Sequence, residues 1–182
     1  MAAPPARPSV TLERAESTYP LRLAVLRAGH GPESAAFPGD DHPLAAHATA
    51  RRAPPETVSG TDGGVDGGMG EVVAVGTVFP DAPPWEPGRA DAWRIRGMAT
   101  RADARSQGYG RAVLDVLLAH AVAHGGVVVW CHARVGALEF YRRAGFGEVG
   151  ELFDDGFGPH RSMSRPLTGT DLPAPGEEPP GR

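Results

Sequence analysis

The segment Trp93-Arg94-Ile95-Arg96-Gly97-Met98-Ala99-Thr100 is followed by Arg105-Ser106-Gln107-Gly108-Tyr109-Gly110, and a run with helical spacing of apolar residues begins at once. The first amides of a helix have no partner within the helix, and their dipole favours anions. Glycines at 108 and 110 leave the backbone accessible, and Arg105 and Arg111 add positive charge. The stretch therefore predicts a strand, a glycine turn and a helix that together bind a phosphorylated ligand.

Two common phosphate-binding motifs do not fit this stretch. A dinucleotide-binding fingerprint needs Gly-x-Gly-x-x-Gly directly after a strand, with an acidic residue about 20 residues later. Here Val113 stands at the third glycine, residues 101–107 separate the predicted strand from the turn, and the next predicted strand ends in Cys131-His132. A Walker loop requires Gly-Lys-Ser/Thr, and the chain contains no lysine.

The remaining pattern, Arg/Gln-x-x-Gly-x-Gly/Ala, resembles the pyrophosphate loop of the GCN5-related N-acetyltransferase (GNAT) superfamily. The hexapeptide alone is weak evidence for this superfamily, but the segment that follows it also resembles the superfamily's sequence. Residues 126–131 have the composition of a buried strand, and Ala137-Leu138-Glu139-Phe140-Tyr141-Arg142-Arg143-Ala144-Gly145-Phe146 is similar to the superfamily's Ala-x-x-Leu/Phe-Tyr-x-x-x-Gly-Phe signature. The resemblance covers residues 92–146 closely and residues 9–167 as one domain. Residues 153–163 resemble the ElaA/YjcF-like subgroup.

This resemblance implies an α/β (α+β) GNAT fold, with a mixed, mostly antiparallel central sheet, flanking helices and one strand–helix–strand crossover. It implies an acyltransferase that moves an acetyl group from acetyl-CoA to a primary amine in a ternary complex. Tyr141 matches the superfamily's general acid, a phenol that can protonate the departing thiolate. The implied cofactor contacts are Met98, Ala99, Thr100, Arg105, Ser106, Gln107, Gly108, Tyr109, Gly110, Arg111 and Arg134.

Two positions leave alternatives open. His160 carries an imidazole suited to proton transfer near neutral pH; it is a candidate base or substrate contact, or else a structural residue of the closing hairpin. His132 or a water chain could take the proton instead. Arg134 stands where many members of the superfamily have asparagine, so that it is expected to bond a carbonyl or a cofactor phosphate. Cys131 is expected to be buried packing rather than a nucleophile.

The composition of the chain excludes several classes of protein. The chain has 182 residues, 41% of them hydrophobic, a net charge of −4, one cysteine and seven scattered histidines. These features predict one domain in the cytoplasm, with no disulfide framework, no metal site, no nucleic-acid partner and no membrane partner. The expected partner is a small-molecule or protein amine, and a homodimer is left open. A non-catalytic acyl-CoA sensor and a transferase of longer acyl chains are the alternative functions.

The order of elements is also predictable. Residues 1–8 and 168–182 are expected to be disordered tails, and residues 51–70 a flexible insertion that forms a long hairpin loop. Apolar periodicity and turn residues predict strands at 10–14, 44–50, 71–79, 92–100, 127–132, 148–153 and 160–165, and helices at 18–28, 110–124 and 136–144. Thr18 is the expected N-cap of the first helix.

Overall fold

The computed structural model describes residues 8–52 and 70–172. Most of the predicted tails and of the 51–70 insertion lies outside the described residues. The described elements are β1 (Val10–Glu13), α1 (Tyr19–Leu26), β2 (Ala46–Arg52), β3 (Glu71–Pro80), β4 (Ala92–Thr100), α2 (Tyr109–Ala123), β5 (Val128–Arg134), α3 (Leu138–Arg143), β6 (Gly147–Asp154) and β7 (Pro159–Pro166).

The strands form one seven-stranded sheet in the order β1-β2-β3-β4-β5-β7-β6. Neighbouring strands are antiparallel except β4 and β5, which run parallel. A parallel pair requires a crossover connection, and α2 provides it. The predicted mixed, mostly antiparallel sheet with flanking helices and a single strand–helix–strand crossover is therefore confirmed.

The two faces of the sheet carry different helices. On one face, α2 packs through residues at helical spacing that are fully or almost fully buried, and α3 completes the same core with Tyr141. That face of the sheet includes Ile95 of β4 and Cys131 of β5. On the other face, α1 packs Leu21 against Val75 and Ala99 in a smaller cluster. Alternate residues of β4 and β5 thus face different helices.

Element ends differ from the sequence prediction at short 3₁₀ turns. Thr18 ends a 3₁₀ turn, Ala15–Thr18, and its hydroxyl donates to Ala15 O at 2.6 Å, so it does not cap α1 with its side chain. The helix predicted from 136 begins as a 3₁₀ turn, Val135–Ala137, before α3. The first residues of the expected C-terminal tail form a further 3₁₀ turn, Gly169–Asp171, closed by a capping box. Single turns of this kind carry too little apolar periodicity to be predicted from the sequence.

Candidate functional site

The strands β4 and β5 separate halfway along their length. The first pair of residues is Ala92 and Val128, and the last is Ile95 and Cys131. Both strands are fully described, and no pairing between them continues beyond Ile95. Beyond that point β4 remains paired with β3 as far as Thr100, while β5 remains paired with β7 as far as Arg134. The facing edges of the two strands therefore open into a V-shaped gap with unpaired backbone groups along it.

A bulge in β4 lies at the start of this gap. The register between β3 and β4 shifts between Val75 and Thr77, so that two residues of β4, Gly97 and Met98, face one residue of β3. Gly97 has a φ of +64°, the left-handed conformation of a glycine bulge. A Cβ atom on Gly97 would lie 2.7 Å from the Nε atom of Arg22. Both the conformation and the contact therefore require glycine at this position.

The gap opens into a cleft with a volume of about 920 Å³. The cleft is bounded by the end of α1, by β4, by the turn before α2, by the end of β5, by α3 and by the β6–β7 hairpin. Most of the site residues predicted from the sequence line it: Met98, Ala99, Thr100, Arg105, Ser106, Gly108, Gly110, Arg111, Arg134, Tyr141 and His160. The folded chain thus brings these distant positions together.

Two of the predicted cofactor contacts are not among the residues that line the cleft. The Gln107 side chain donates to the carbonyl oxygen of Asp103 at 2.7 Å and so closes the turn before α2. The Tyr109 side chain packs against the main hydrophobic core. The prediction placed both residues in the loop by motif alone, and a motif does not specify the direction in which each side chain points.

The N-terminus of α2 faces the cleft through Gly108 and Gly110. A Cβ atom at Gly110 would lie 2.9 Å from Thr100 Oγ1, so that glycine allows the helix to approach β4 closely. Around Gly108 the space is open, with no neighbouring atom within 4 Å of a Cβ position. The helix dipole and the free first-turn amides make this end suitable for an anion.

The charge of the cleft also suits an anion. Seven arginines line it, against the carboxylates Glu139 and Asp155. Three of these arginines, Arg105, Arg111 and Arg143, lie around the glycine turn and α3. Arg111 is paired with Asp115 at 2.8 Å, an exposed contact that water screens. The turn end of the cleft therefore combines free amides with guanidinium groups.

Tyr141 lies at the inner end of the cleft. Its side chain is buried between Phe140 and Phe146, with ring centroids at 5.1 and 5.3 Å. The thiol of Cys131 is the neighbouring polar group of its hydroxyl. Burial, and then the neighbouring thiol, raise the pKa of the phenol well above its usual value. The phenol therefore stays protonated at neutral pH. The Cys131 side chain is 1% exposed and its pKa is likewise raised by burial, so that it is an inert packing residue.

His160 presents one ring nitrogen to the protein and leaves the other available. The Nδ1 atom lies 2.7 Å from Gly158 O and 3.2 Å from Asp155 Oδ1. A carbonyl oxygen can only accept, so Nδ1 carries the proton and Nε2 holds the lone pair of the neutral ring. Among the described residues, Nε2 has no hydrogen-bond partner. The contacts of Nδ1 also stabilise the β6–β7 hairpin. His160 therefore has a structural position in the hairpin and lines the cleft as well.

His132 is the second histidine in the cleft. Its Nδ1 atom lies 3.0 Å from Ser162 Oγ, and its ring packs edge-on against Trp130 and Phe153. Burial lowers the pKa of His132 to about 4, and the charge of Arg94 acts in the same direction. The imidazole is therefore neutral at neutral pH but only weakly basic, which makes it less suited to accept a proton than an ordinary histidine.

Arg134 bonds a protein carbonyl, one of the two partners that the sequence allowed. Its Nη2 atom donates to Leu26 O at 2.8 Å, which links the end of β5 to the last turn of α1 across the cleft. A second group of arginines, Arg27, Arg94 and Arg96, also lines the cleft and was not predicted from the sequence. The alternation Trp93-Arg94-Ile95-Arg96 was the available signal, because it places both arginines of β4 on the face opposite the core.

Two absences concern the described residues alone. In the ranges 8–52 and 70–172, no three His, Cys, Asp or Glu side chains are grouped as metal ligands, and the expectation of a metal-free protein stays a prediction. Within these same ranges, no helix is long and apolar enough to cross a bilayer.

Comparisons with known proteins agree with this geometry. Residues 30–146 match the sequence model of the Acetyltransferase (GNAT) family. The chain is 35% identical over 100 residues to the uncharacterized N-acetyltransferase YitI of Bacillus subtilis (strain 168), a match that covers 54% of this chain and 66% of the relative.

Solved structures show the same fold at low sequence identity. Escherichia coli ElaA has a TM-score of 0.62 at 18% identity, over 87% of this chain and 99% of ElaA. An aminoglycoside 6'-N-acetyltransferase complexed with coenzyme A also has a TM-score of 0.62, at 12% identity, over 88% of this chain and 97% of that enzyme. Taken with the match over residues 30–146, the splayed strands and the glycine turn show that the chain belongs to the GNAT acetyltransferase family.

Proposed function

We propose that this protein transfers an acetyl group from acetyl-CoA to a primary amine, by direct attack while both substrates are bound. One observation carries the proposal: the separation of β4 and β5 opens a single cleft that holds the glycine turn of α2 at one end and Tyr141 at the other. Membership of the acetyltransferase family and a solved neighbour in complex with coenzyme A support the donor.

The residues of the cleft fit the parts of that donor. The first-turn amides of α2, with Arg105 and Arg111, suit the diphosphate. The unpaired edge of β4 from Met98 to Thr100 suits the amides of the pantetheine arm, since a free strand edge offers both donors and acceptors. The open space at Gly108 leaves room for the phosphates beside the backbone.

Acetyl-CoA supplies an activated thioester. In the proposed reaction the amine nitrogen forms a bond to the carbonyl carbon while the carbon–sulfur bond breaks, and the sulfur leaves with the bonding electrons. The Tyr141 hydroxyl donates a proton to the sulfur, and His160 Nε2 accepts a proton from the nitrogen. The products are an N-acetyl amide and the free thiol of CoA. Solvent then takes the extra proton from His160 and returns a proton to Tyr141.

The test is CoA release from acetyl-CoA across a panel of primary amines, with Tyr141→Phe beside the native protein. Loss of the acid should lower kcat at least about 100-fold while acetyl-CoA still binds, because general-acid catalysis contributes that much. Tyr19→Phe is the matched control, since it removes a phenol from α1 outside the cleft.

Other outcomes would contradict the proposal. Tight CoA binding without turnover of any amine would make the protein an acyl-CoA sensor. An equal rate for Tyr141→Phe would remove the acid from the mechanism. Greater thermal stabilisation by longer acyl-CoA molecules than by acetyl-CoA would change the donor. We also propose a cytoplasmic location, in keeping with the unpaired, buried thiol of Cys131.

A further inference from the structure

Two arginines of β4 stand where an acceptor would meet the thioester. Arg94 and Arg96 flank Ile95, the last residue of β4 that pairs with β5, and both line the cleft. They lie on the sheet face opposite the core, since Trp93 and Ile95 point into the core between them. Arg96 is therefore one residue beyond the point at which the strands separate.

Arg96 makes no ion pair with a described residue, and the charge of Asp40, which raises the pKa of Arg96, acts from beyond ion-pair distance. It donates to Pro38 O at 2.9 Å, and its guanidinium lies over the ring of Phe37 at 4.6 Å. Neither partner is an anion, and no described carboxylate forms an ion pair with Arg96. Burial, and then the charge of Arg94, lower the pKa of Arg96 to about 10. An anion bound beside Arg96 would offset both the burial of its charge and the repulsion from Arg94.

Its neighbours add to the positive field. Arg94 shares its charge with Asp81, 3.2 Å away at the rim, and lies over Trp130 at 4.5 Å. Arg27 reaches over the rings of Phe37 and Phe157, at 4.9 and 3.6 Å. Aromatic rings hold these guanidinium groups in fixed positions without neutralising them.

The carboxylates of Asp40 and Asp155, on this side of the sheet, already accept hydrogen bonds from other groups of the protein. Asp40 accepts two hydrogen bonds from the buried Arg22. Asp155 accepts from Phe157 N at 3.0 Å and lies beside His160 Nδ1. A polycationic acceptor would face uncompensated guanidinium groups here, whereas an anionic group would meet a matching charge.

Resting on the proposed function, we propose that the acceptor is a small primary amine that also carries a carboxylate, and that Arg96, with Arg94 beside it, binds this carboxylate. The planar guanidinium can hold a carboxylate through two parallel hydrogen bonds. Such a contact would orient the amine towards His160, which lies on the same face of the sheet as His132 and Ser162. Arg96 is then a specificity-determining residue.

The experiment uses matched amines with acetyl-CoA and the full chain. One set consists of ω-amino acids of increasing length, a second of the same amines without the carboxylate, and a third of amino-alkyl phosphates. We expect kcat/KM to be at least about tenfold higher for the best amino acid than for its decarboxylated partner, as for a charge-assisted bond. A higher value for the phosphates than for the carboxylates would assign the site to phosphates and overturn the proposal.

Variants of Arg96 test whether this residue causes the preference for amines that carry a carboxylate. In Arg96→Met the ratio of kcat/KM between the two partners should fall towards one, and in Arg96→Lys it should fall part of the way. Arg89→Met, at an exposed arginine outside the cleft, should keep the native ratio. Coenzyme A binding by calorimetry shows that each variant is folded.

Each outcome separates the two proposals. Turnover of decarboxylated amines at equal or higher kcat/KM overturns the carboxylate proposal and leaves the transferase in place. A ratio that persists in Arg96→Met overturns the role of Arg96. Release of CoA with none of the amines overturns the proposed function, and the acceptor class falls with it.

Discussion

Arg22 fixes the acceptor side of the cleft although it does not line it. Its side chain is fully buried, and its guanidinium donates to both oxygens of Asp40, to Ala35 O and to Thr77 Oγ1. These contacts join α1 to the segment before β2 and to β3. The ring of Phe37, over which Arg96 lies, also packs against Arg22 at 4.6 Å.

Removal of Asp40 should therefore destabilise the fold strongly. In Asp40→Ala the buried charge of Arg22 loses its counter-ion, which should reduce the free energy of unfolding by about 3–5 kcal/mol. Urea denaturation measures this change. Glu86→Ala breaks the exposed pair with Arg89 and should leave the free energy of unfolding nearly unchanged. A loss below 1 kcal/mol for Asp40→Ala would show that the buried pair is not needed to fix the segment.

Individual residues differ in how well the sequence predicted them. Gly108 and Gly110 were predictable from the glycine turn before a helix, and Tyr141 was predictable from the resemblance of residues 137–146 to the GNAT signature. The pair of Arg22 and Asp40 was not, since it depends on the path of an irregular segment between them. The proximity of Tyr141 and Cys131 involves two elements, α3 and β5, and the apolar pattern of neither element predicts it.

At the level of elements, the bulge in β4 sets the place at which the cleft begins. Gly97 takes a left-handed backbone and leaves no room for a Cβ atom beside Arg22. Without the bulge, β4 would continue in register with β3 through Met98, and its edge would present a different set of backbone groups.

Gly97→Ala should test this requirement. The left-handed conformation costs a non-glycine residue about 1–2 kcal/mol, and the contact with Arg22 adds about 1–3 kcal/mol of overpacking. Gly88→Ala is the matched control, because Gly88 has a φ of +88° but no atom within 4 Å of a Cβ position. The difference between the two variants in urea denaturation isolates the contact. Equal losses would mean that Arg22 can move aside.

The elements themselves were largely predictable. All seven strands and three helices were expected within a few residues of the described bounds, because each has an apolar pattern of its own period. The position of β7 between β5 and β6 was not predicted, because the order of strands in a sheet depends on contacts between elements and not on the pattern within one of them. The side chains facing the acceptor were missed because a strand with one polar face is typical of any half-exposed sheet.

At the level of the whole molecule, the net charge of the chain is negative, whereas the charge of the cleft is positive. The chain carries a net charge of −4, yet the cleft is lined by seven arginines and two carboxylates. Composition gave no reason to expect nucleic-acid binding, which stays a prediction, and it could not show where the positive charge collects. Only the fold brings arginines of β4, β5, α2 and α3 around one cavity with Arg27, directly after α1, and Arg105, in the turn before α2.

Burial of histidine, together with this positive field, should make the stability of the protein depend on pH. Burial, together with Arg94 and His160, lowers the pKa of His132 to about 4, against about 6.5 for an unfolded histidine. Between these values the unfolded chain binds a proton that the folded protein does not, so stability is lost as the pH falls from 6.5 towards 4. His47, whose pKa is also lowered by burial, acts in the same direction.

His132→Gln should therefore reduce the loss of stability in mild acid. Glutamine cannot take up a proton, so between pH 7 and pH 5 the variant should lose about 1 kcal/mol less than the native protein, a value reduced for partial access of water. Urea midpoints at the two pH values give the difference. His30→Gln, at an exposed histidine, should retain the native dependence. Burial is the largest cause of the lowered pKa and the charge of Arg94 the next, so an unchanged slope in His132→Gln would mean that neither lowers the pKa of His132 in the folded protein.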